Sequence, residues 1–255
     1  MTKIIAIANQ KGGVGKTTTA VNLSSAVAQN GKRTLLIDLD PQGNSSSGLG
    51  VLDTENILTS YDVLINGVDP METIIKTDFY GLSLIPANIA LAGAEVELVD
   101  KERREFALKL AMERLGNEFD YIFIDCPPSL GLLTLNALTF AGYILIPIQC
   151  EYYALEGVAQ LMNTVRLVRR GLNPALDIAG VVLTMYDSRT KLCAQVVEEV
   201  KRSFKNKVYN TIIPRSVRLG EAPSYGQPIN VYAPKCASAR AYDALAMEVI
   251  KREGR

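Results

Sequence analysis

The sequence predicts an α/β fold, a single doubly wound, mostly parallel β-sheet flanked by helices on both faces, with residues 1–255 forming one domain. Three observations carry this expectation. Short β-rich apolar runs alternate with segments of helical period, the pattern of βαβ units. Several runs (YIFID, YILIPI, IAGVVL) are apolar on both alternations, as strands covered on both faces must be. A chain of 255 residues with 48% apolar content is long enough to bury one large core.

Taken in order, the first strand is expected at Lys3–Ala8 and a helix at Lys16–Gln29. That helix sets Ala20, Leu23 and Val27 on one face and stops at Asn30-Gly31. Further strands are expected at Thr34–Asp38, Leu82–Ile85, Tyr121–Asp125, Tyr143–Ile148 and Ile178–Leu183, with a weaker one at Val208–Ile212. Apolar stripes predict helices over Lys101–Leu115, Val158–Arg170 and Thr190–Phe204. The last helix, Ala239–Arg252, spaces Tyr242, Leu245, Ala246, Val249 and Ile250 at i, i+3, i+4, i+7 and i+8. No internal repeat, low-complexity tract or long linker interrupts the series.

Composition removes several function classes. Histidine is absent, which excludes Ser-His-Asp and Cys-His catalysis and most zinc sites. Cys126, Cys150, Cys193 and Cys236 form no CxxC and read as reduced, buried thiols. No apolar run approaches the ~20 residues that span a bilayer. MTKIIAIANQKGG lacks the apolar core of a signal peptide, so a cytoplasmic protein is expected. The net charge is zero, yet it is unevenly spread. Residues 1–160 hold 11 Lys/Arg against 19 Asp/Glu, a net of −8, and residues 161–255 hold 16 against 8, a net of +8. A basic C-terminal part suits a polyanionic partner.

The sharpest motif is IIAIANQKGGVGKTTTA at residues 4–20, a strand, a Gly-rich loop and a helix start. That context fits a loop whose backbone N–H groups cradle phosphates at a helix N-terminus. The candidate contacts are Gly12, Gly13, Val14, Gly15, Lys16, Thr17 and Thr18. Lys16 can reach the β/γ-phosphates and the Thr17 hydroxyl can ligate Mg²⁺. Gln10 stands where the usual G-x-x-x-x-G-K-[ST] pattern has its first Gly, and Lys11 adds a second lysine to the loop.

Two acidic strand ends accompany the loop. Asp125 closes YIFID ahead of CPPS, where it can hold a Mg²⁺-bound water or instead N-cap a helix after the prolines. TLLIDLDPQGN ends a second strand with Asp38 and Asp40. Ligands of open parallel sheets bind outside the carboxyl ends of the strands, so loop, Asp40 and Asp125 should converge. Either aspartate of DLD could orient the attacking water, and spacing alone does not choose between them.

The form KGGVGKT resembles the deviant phosphate loop of the ParA/MinD group of P-loop ATPases. DLDPQGNSSSGLG, LAGAEVELV, YIFIDCPPSLGLLTLNAL, IPIQCEYYALEG and TIIPRSVRLGEAPSYGQPI resemble the ParA family of chromosome- and plasmid-partitioning ATPases, especially its short chromosomal form, Soj. The resemblance runs from Lys3 to about Ile250. It implies a slow ATPase using ATP and Mg²⁺ in a sandwich homodimer, with Lys11 reaching across to the partner's phosphates. It makes Asp40 the water-positioning acid and a candidate metal neighbour, and leaves Asp38 structural. It places adenine contacts at Pro214, Arg215 and Ser216, and a cross-subunit ribose contact at Glu151. Gly220, where Ser is commoner, reads as a loop variant.

The resemblance further implies ATP-dependent binding of nonspecific double-stranded DNA, release on hydrolysis stimulated by a ParB-type centromere-binding protein, and association with the nucleoid. Arg189 and Arg218 are the preferred DNA contacts, with Lys201, Lys205 and Lys207 alongside. The chain opens directly on its first strand, so no N-terminal helix-turn-helix extension is expected. Two rival readings are a MinD-like membrane-associated positioning ATPase and an iron–sulfur electron-transfer ATPase. The first needs a basic amphipathic helix beyond the last core helix, and the second needs paired cluster thiolates. No membrane association is expected.

Overall fold

A computed structural model describes residues 2–54, 56–151 and 156–253. Its strands are β1 (Lys3–Ile7), β2 (Thr34–Asp38), β3 (Ile75–Lys76), β4 (Leu82–Ile85), β5 (Tyr121–Asp125), β6 (Tyr143–Gln149), β7 (Asp177–Tyr186) and β8 (Val208–Pro214). They form one eight-stranded sheet in the order β3-β4-β2-β5-β1-β6-β7-β8, parallel throughout except for the β3–β4 pair. The helices are α1 (Lys16–Gln29), α2 (Asn44–Gly48), α3 (Pro70–Thr73), α4 (Leu91–Glu97), α5 (Ala107–Met112), α6 (Leu132–Phe140), α7 (Glu156–Gly171), α8 (Lys191–Phe204), α9 (Val217–Glu221), α10 (Ile229–Tyr232) and α11 (Ala237–Glu253).

The apolar-on-both-faces runs are buried as their composition requires. Ile5, Ile7, Leu36, Phe123, Leu145 and Val182 pack on one side with Leu23 and Val27 of α1 and Tyr242, Leu245 and Val249 of α11. Ile37, Ile124, Ile146 and Ile148 face the other way, toward Leu133 of α6, Leu161 and Val165 of α7 and Val196 and Val200 of α8. The stripe on α11 is therefore core. Among the described residues, no helix is long and apolar enough to cross a membrane.

Four expectations are corrected. The helix expected over Lys101–Leu115 is broken into two 3₁₀ turns, Arg104–Phe106 and Glu113–Leu115, around α5. Arg103 takes φ 54, a left-handed conformation that a right-handed helix cannot pass through. Thr190 lies outside α8 as its N-cap, its Oγ1 accepting from the Cys193 N–H at 3.4 Å. The edge strand β3 has two residues, too few to show a period. β7 and β8 run past their expected ends to Tyr186 and Pro214, and those extensions wall the site described next.

Register sets that site. Ile7 of β1 and Asp38 of β2 both pair with Asp125 of β5, so three strands end level at one edge. The loop after β1 leaves the sheet beside two acids.

Candidate active site

The loop between β1 and α1 is shaped by glycine. Gly13 (φ 73) and Gly15 (φ 86) occupy left-handed conformations that disfavour a Cβ. Gly15 is the N-cap of α1 and no side chain fills the cap, which leaves first-turn N–H groups to meet an anion. Thr184 Oγ1 of β7 donates to Val14 O at 2.9 Å and ties the loop to the sheet. Lys16 is buried, with Nζ donating to Lys11 O at 3.3 Å. Burial lowers its pKa, and the negative charges of Asp125 and Asp40 oppose that shift. The expected convergence of Lys16, Asp40 and Asp125 is thus met.

Asp38 and Asp125 are fully buried side by side. Asp38 uses both oxygens within the chain. Oδ2 accepts from Ser46 N at 2.8 Å and Ser46 Oγ at 2.7 Å, and Oδ1 accepts from Asp40 N at 3.2 Å. Asp125 Oδ2 accepts from Ser45 Oγ at 2.8 Å, while Oδ1 is buried with no hydrogen-bond partner among the described residues. Burial raises the pKa of both acids above the usual carboxylate range. The Asp38 charge adds to the rise at Asp125, and the Ser45 and Thr17 hydroxyls pull it back. The capping alternative for Asp125 falls away, because the next helix, α6, starts at Leu132 with Gly131 at its cap. Asp40 is buried, with Oδ1 accepting from Gln42 N at 3.0 Å.

Beside the loop lies a cavity of about 230 Å³ lined by Gly15, Thr18, Thr184, Met185, Ile213, Pro214, Arg215, Ser216, Leu219, Gly220 and Tyr242. Pro214, Arg215 and Ser216 line it, and so does Gly220, read from the sequence as a loop variant. Sequence reasoning missed Thr184, Met185 and Leu219, and placed Tyr242 only in the core. Met185 holds φ 53, a strain for a non-glycine residue that leaves no trace in composition or period.

Lys11 turns away from this cavity. Its Nζ lies 3.5 Å from Glu151 Oε2, and Gln149 Nε2 holds the other oxygen of Glu151 at 2.5 Å. Glu151 therefore meets the Lys11 of its own chain. Tyr152, Tyr153, Ala154 and Leu155, within the QCEYYALEG motif, lie outside the described residues.

The basic residues do not form one patch. Arg189 follows the C-terminal end of β7 and Arg218 that of β8, both exposed on the cavity's side of the sheet. Lys205 and Lys207 precede β8, about 20 Å away along its seven residues, and Lys201 sits in the last turn of α8. Lys207 is committed elsewhere, its Nζ donating to Asp177 Oδ2 at 2.9 Å and Ile178 O at 2.8 Å. Cys126 and Cys150 are buried, and burial pushes both thiols up, Cys150 to about 12.

Residues 2–178 match the model of a family described as an AAA domain. The sporulation initiation inhibitor protein Soj of Bacillus subtilis is 57% identical over 249 residues, covering 98% of each chain. The chromosome-partitioning ATPase Soj of Treponema pallidum is 52% identical over 254 residues, covering 100% of this chain and 99% of that protein.

The chain belongs to the ParA/Soj family of partitioning ATPases.

A solved structure described as a cobyrinic acid a,c-diamide synthase from Mycobacterium smegmatis, with bound ATP analogue and magnesium, superposes with a TM-score of 0.86 at 40% identity. It covers 100% of this chain and 98% of that chain. As a member of the ParA/Soj family this chain is an ATPase, and magnesium is the ion that the neighbour holds with its ATP analogue. This chain's own residues fit the ion. Asp125 Oδ1 is an orphaned buried acceptor beside Lys16 and Thr17, and such an atom needs a donor such as a metal-bound water.

Proposed function

We propose that this chain, acting as one ATPase domain, is a DNA-segregation switch. ATP closes two copies into a sandwich dimer, the dimer binds double-stranded DNA without sequence preference, and hydrolysis stimulated by a ParB-type protein releases it to move DNA cargo over the nucleoid. Gly12, Gly13, Val14, Gly15 and Thr18 line the phosphate cradle, and Lys16 neutralises the phosphate tail. Pro214, Arg215 and Ser216 hold the base. Thr17 would hold Mg²⁺ directly and Asp125 through a water. When bound, the ion supplies charge neutralisation between neighbouring phosphates. Asp40, with Oδ1 fixed by the Gln42 amide, positions the attacking water.

Lys11 is the trans-acting lysine of the partner's site. Held outside its own cavity by an exposed pair with Glu151, it can exchange that carboxylate for the partner's phosphates. Glu151, once released, is free to face the partner's ribose. Hydrolysis by the isolated protein is slow because the site is completed only on dimer closure.

The observation that carries this reading is the position of Arg189 and Arg218. Both are exposed beyond the ends of the same strands that wall the cavity, and Arg215 N donates to Tyr186 O at 2.9 Å across those ends. Filling the cavity and presenting the two arginines thus involve the same backbone. Phosphate contacts from such cations give affinity without base readout. The test measures binding to random-sequence duplex with no nucleotide, ADP or ATP–Mg²⁺ at two salt concentrations, with Arg189→Ala and Lys16→Ala. Binding that needs ATP, weakens with salt and is lost in both variants supports the switch. Absence of binding despite ATP-dependent dimerisation sinks it.

A further inference from the structure

The strand-end acids owe their division of labour to the serines that follow DPQGN. Two carboxylates that are neighbours in register and fully buried present four oxygens, and the chain supplies donors to three of them. Asp38 is saturated by Ser46 and the Asp40 amide. Ser46 Oγ also accepts from Ala87 N at 2.9 Å, so its single O–H is left to point at Asp38. Ser45, itself fully buried, spends its O–H on Asp125 Oδ2. Of the four oxygens, Asp125 Oδ1 is the one without a hydrogen-bond partner among the described residues, and the Thr17 hydroxyl is the other group that bears on this carboxylate.

We infer that Ser45 is a positioning residue for the magnesium site: its hydroxyl holds Asp125 Oδ2 and so fixes Oδ1 as the oxygen presented to the ion's hydration shell. With Ser45 absent, the carboxylate can turn about its last bond and divide its two oxygens among Thr17 and whatever water enters. Contacts to a metal's direct ligands set its affinity by roughly 10–100-fold, and Ser45, acting one step further out through Asp125 and its water, is expected at the low end of that range. Ser46, though adjacent, serves Asp38 and lacks this role. The inference stands on Asp125 as the metal-facing acid, as proposed above, and the two are separable by experiment.

The probe is a fluorescent ADP analogue bound to the full chain and titrated with Mg²⁺, so that no turnover is read. Asp125→Asn is expected to raise the Mg²⁺ midpoint and Ser45→Ala to raise it about 10-fold. Ser45→Ala should leave the Mg²⁺-free affinity for the analogue within about 2-fold, a split that general loosening of the site would not produce. Ser46→Ala is expected to lower thermal stability and keep the wild-type midpoint. If Ser45→Ala does not fold, Ser45→Cys, close in volume and a weak donor, gives the reading instead. An unshifted Asp125→Asn midpoint overturns the assignment of Asp125. A shifted Asp125→Asn with an unshifted Ser45 variant, or an equal shift in Ser46→Ala, overturns the role of Ser45 alone.

Discussion

Asp187→Asn should make this protein bind DNA more tightly. Asp187 grips Arg189 with both oxygens, Oδ1 accepting from Nε at 2.9 Å and Oδ2 from Nη2 at 2.6 Å. The arginine holds the carboxyl below its usual range, first through those side-chain bonds and then through its backbone N–H. A phosphate that engages Arg189 must displace this carboxylate or share the guanidinium with it. The arginine side chain is 86% exposed, so the pair belongs to the class worth ~0–1 kcal/mol. Releasing it therefore raises affinity by at most about 5-fold per protomer, and up to about 25-fold where both protomers of a dimer engage one duplex. Each further phosphate neutralised also steepens the slope of log affinity against log salt by about 0.9. Asn keeps the acceptor for Arg189 N, which Asp187 Oδ1 binds at 3.0 Å, so the local turn survives. Fluorescence anisotropy with a random-sequence duplex, in ATP–Mg²⁺ from about 50 to about 200 mM salt, reads both quantities. Asp177→Asn, a charge removal at the opposite strand ends, is the control and should leave affinity unchanged. Equal or weaker binding by Asp187→Asn refutes the idea that this carboxylate masks a DNA contact.

Lys16→Ala should weaken nucleotide binding by roughly 10–100-fold, the range for one charge-assisted hydrogen bond, as isothermal calorimetry with ADP would show. The metal-free protein should become more stable as pH falls from neutral toward about 5. Asp38 and Asp125 have raised native pKa values, so the folded state binds protons that the unfolded state, titrating near ~4, has already released. Thermal melts without Mg²⁺ at stepped pH check the sign, and Asp38→Asn should flatten the profile. Glu248→Ala should cost about 1–2 kcal/mol in urea unfolding. Glu248 accepts from Asn210 N at 2.9 Å and Thr211 N at 2.7 Å, covering N–H groups of the edge strand β8. Unchanged stability would mean that water satisfies those groups equally well.

The fold class and the phosphate cradle were legible because each follows from short-range rules. Strand burial shows as double-sided apolar runs, and the cradle needs glycines at fixed offsets between a strand and a helix. The level ending of β1, β2 and β5 follows from both Asp38 and Asp125 closing their apolar runs. What lay beyond the sequence is set by partners far along the chain. Ser45 and Ser46 look like ordinary turn residues until β5 and β2 stand side by side. Met185 lines the cavity through a backbone conformation its side chain does not encode. Arg103 interrupts an apolar stripe that by itself reads as one helix. Counting charge by segment puts Arg189 and Lys207 in the same basic part, and cannot separate a residue beyond the C-terminal end of β7 from one just before the start of β8.

That separation bears on how a switch can be built from ordinary ion pairs. Lys207 is bound by a carboxylate and a main-chain carbonyl together, so a passing phosphate would have to replace two acceptors. Lys11, Arg189 and Arg218 are each paired with an acid on their own chain, at 3.5, 2.6 and 3.8 Å, and all three pairs are solvent-exposed. Exposed pairs exchange partners at a cost within thermal reach, about 1 kcal/mol or less. Cations parked this way stay soluble and oriented without committing to any polyanion they meet. Their exchange becomes favourable only when several phosphates arrive in fixed geometry, as a nucleotide across a closed dimer or a duplex along its surface would present them. In the proposed switch, the weakness of each pair is therefore the property that would let the ATP state decide where the cations go.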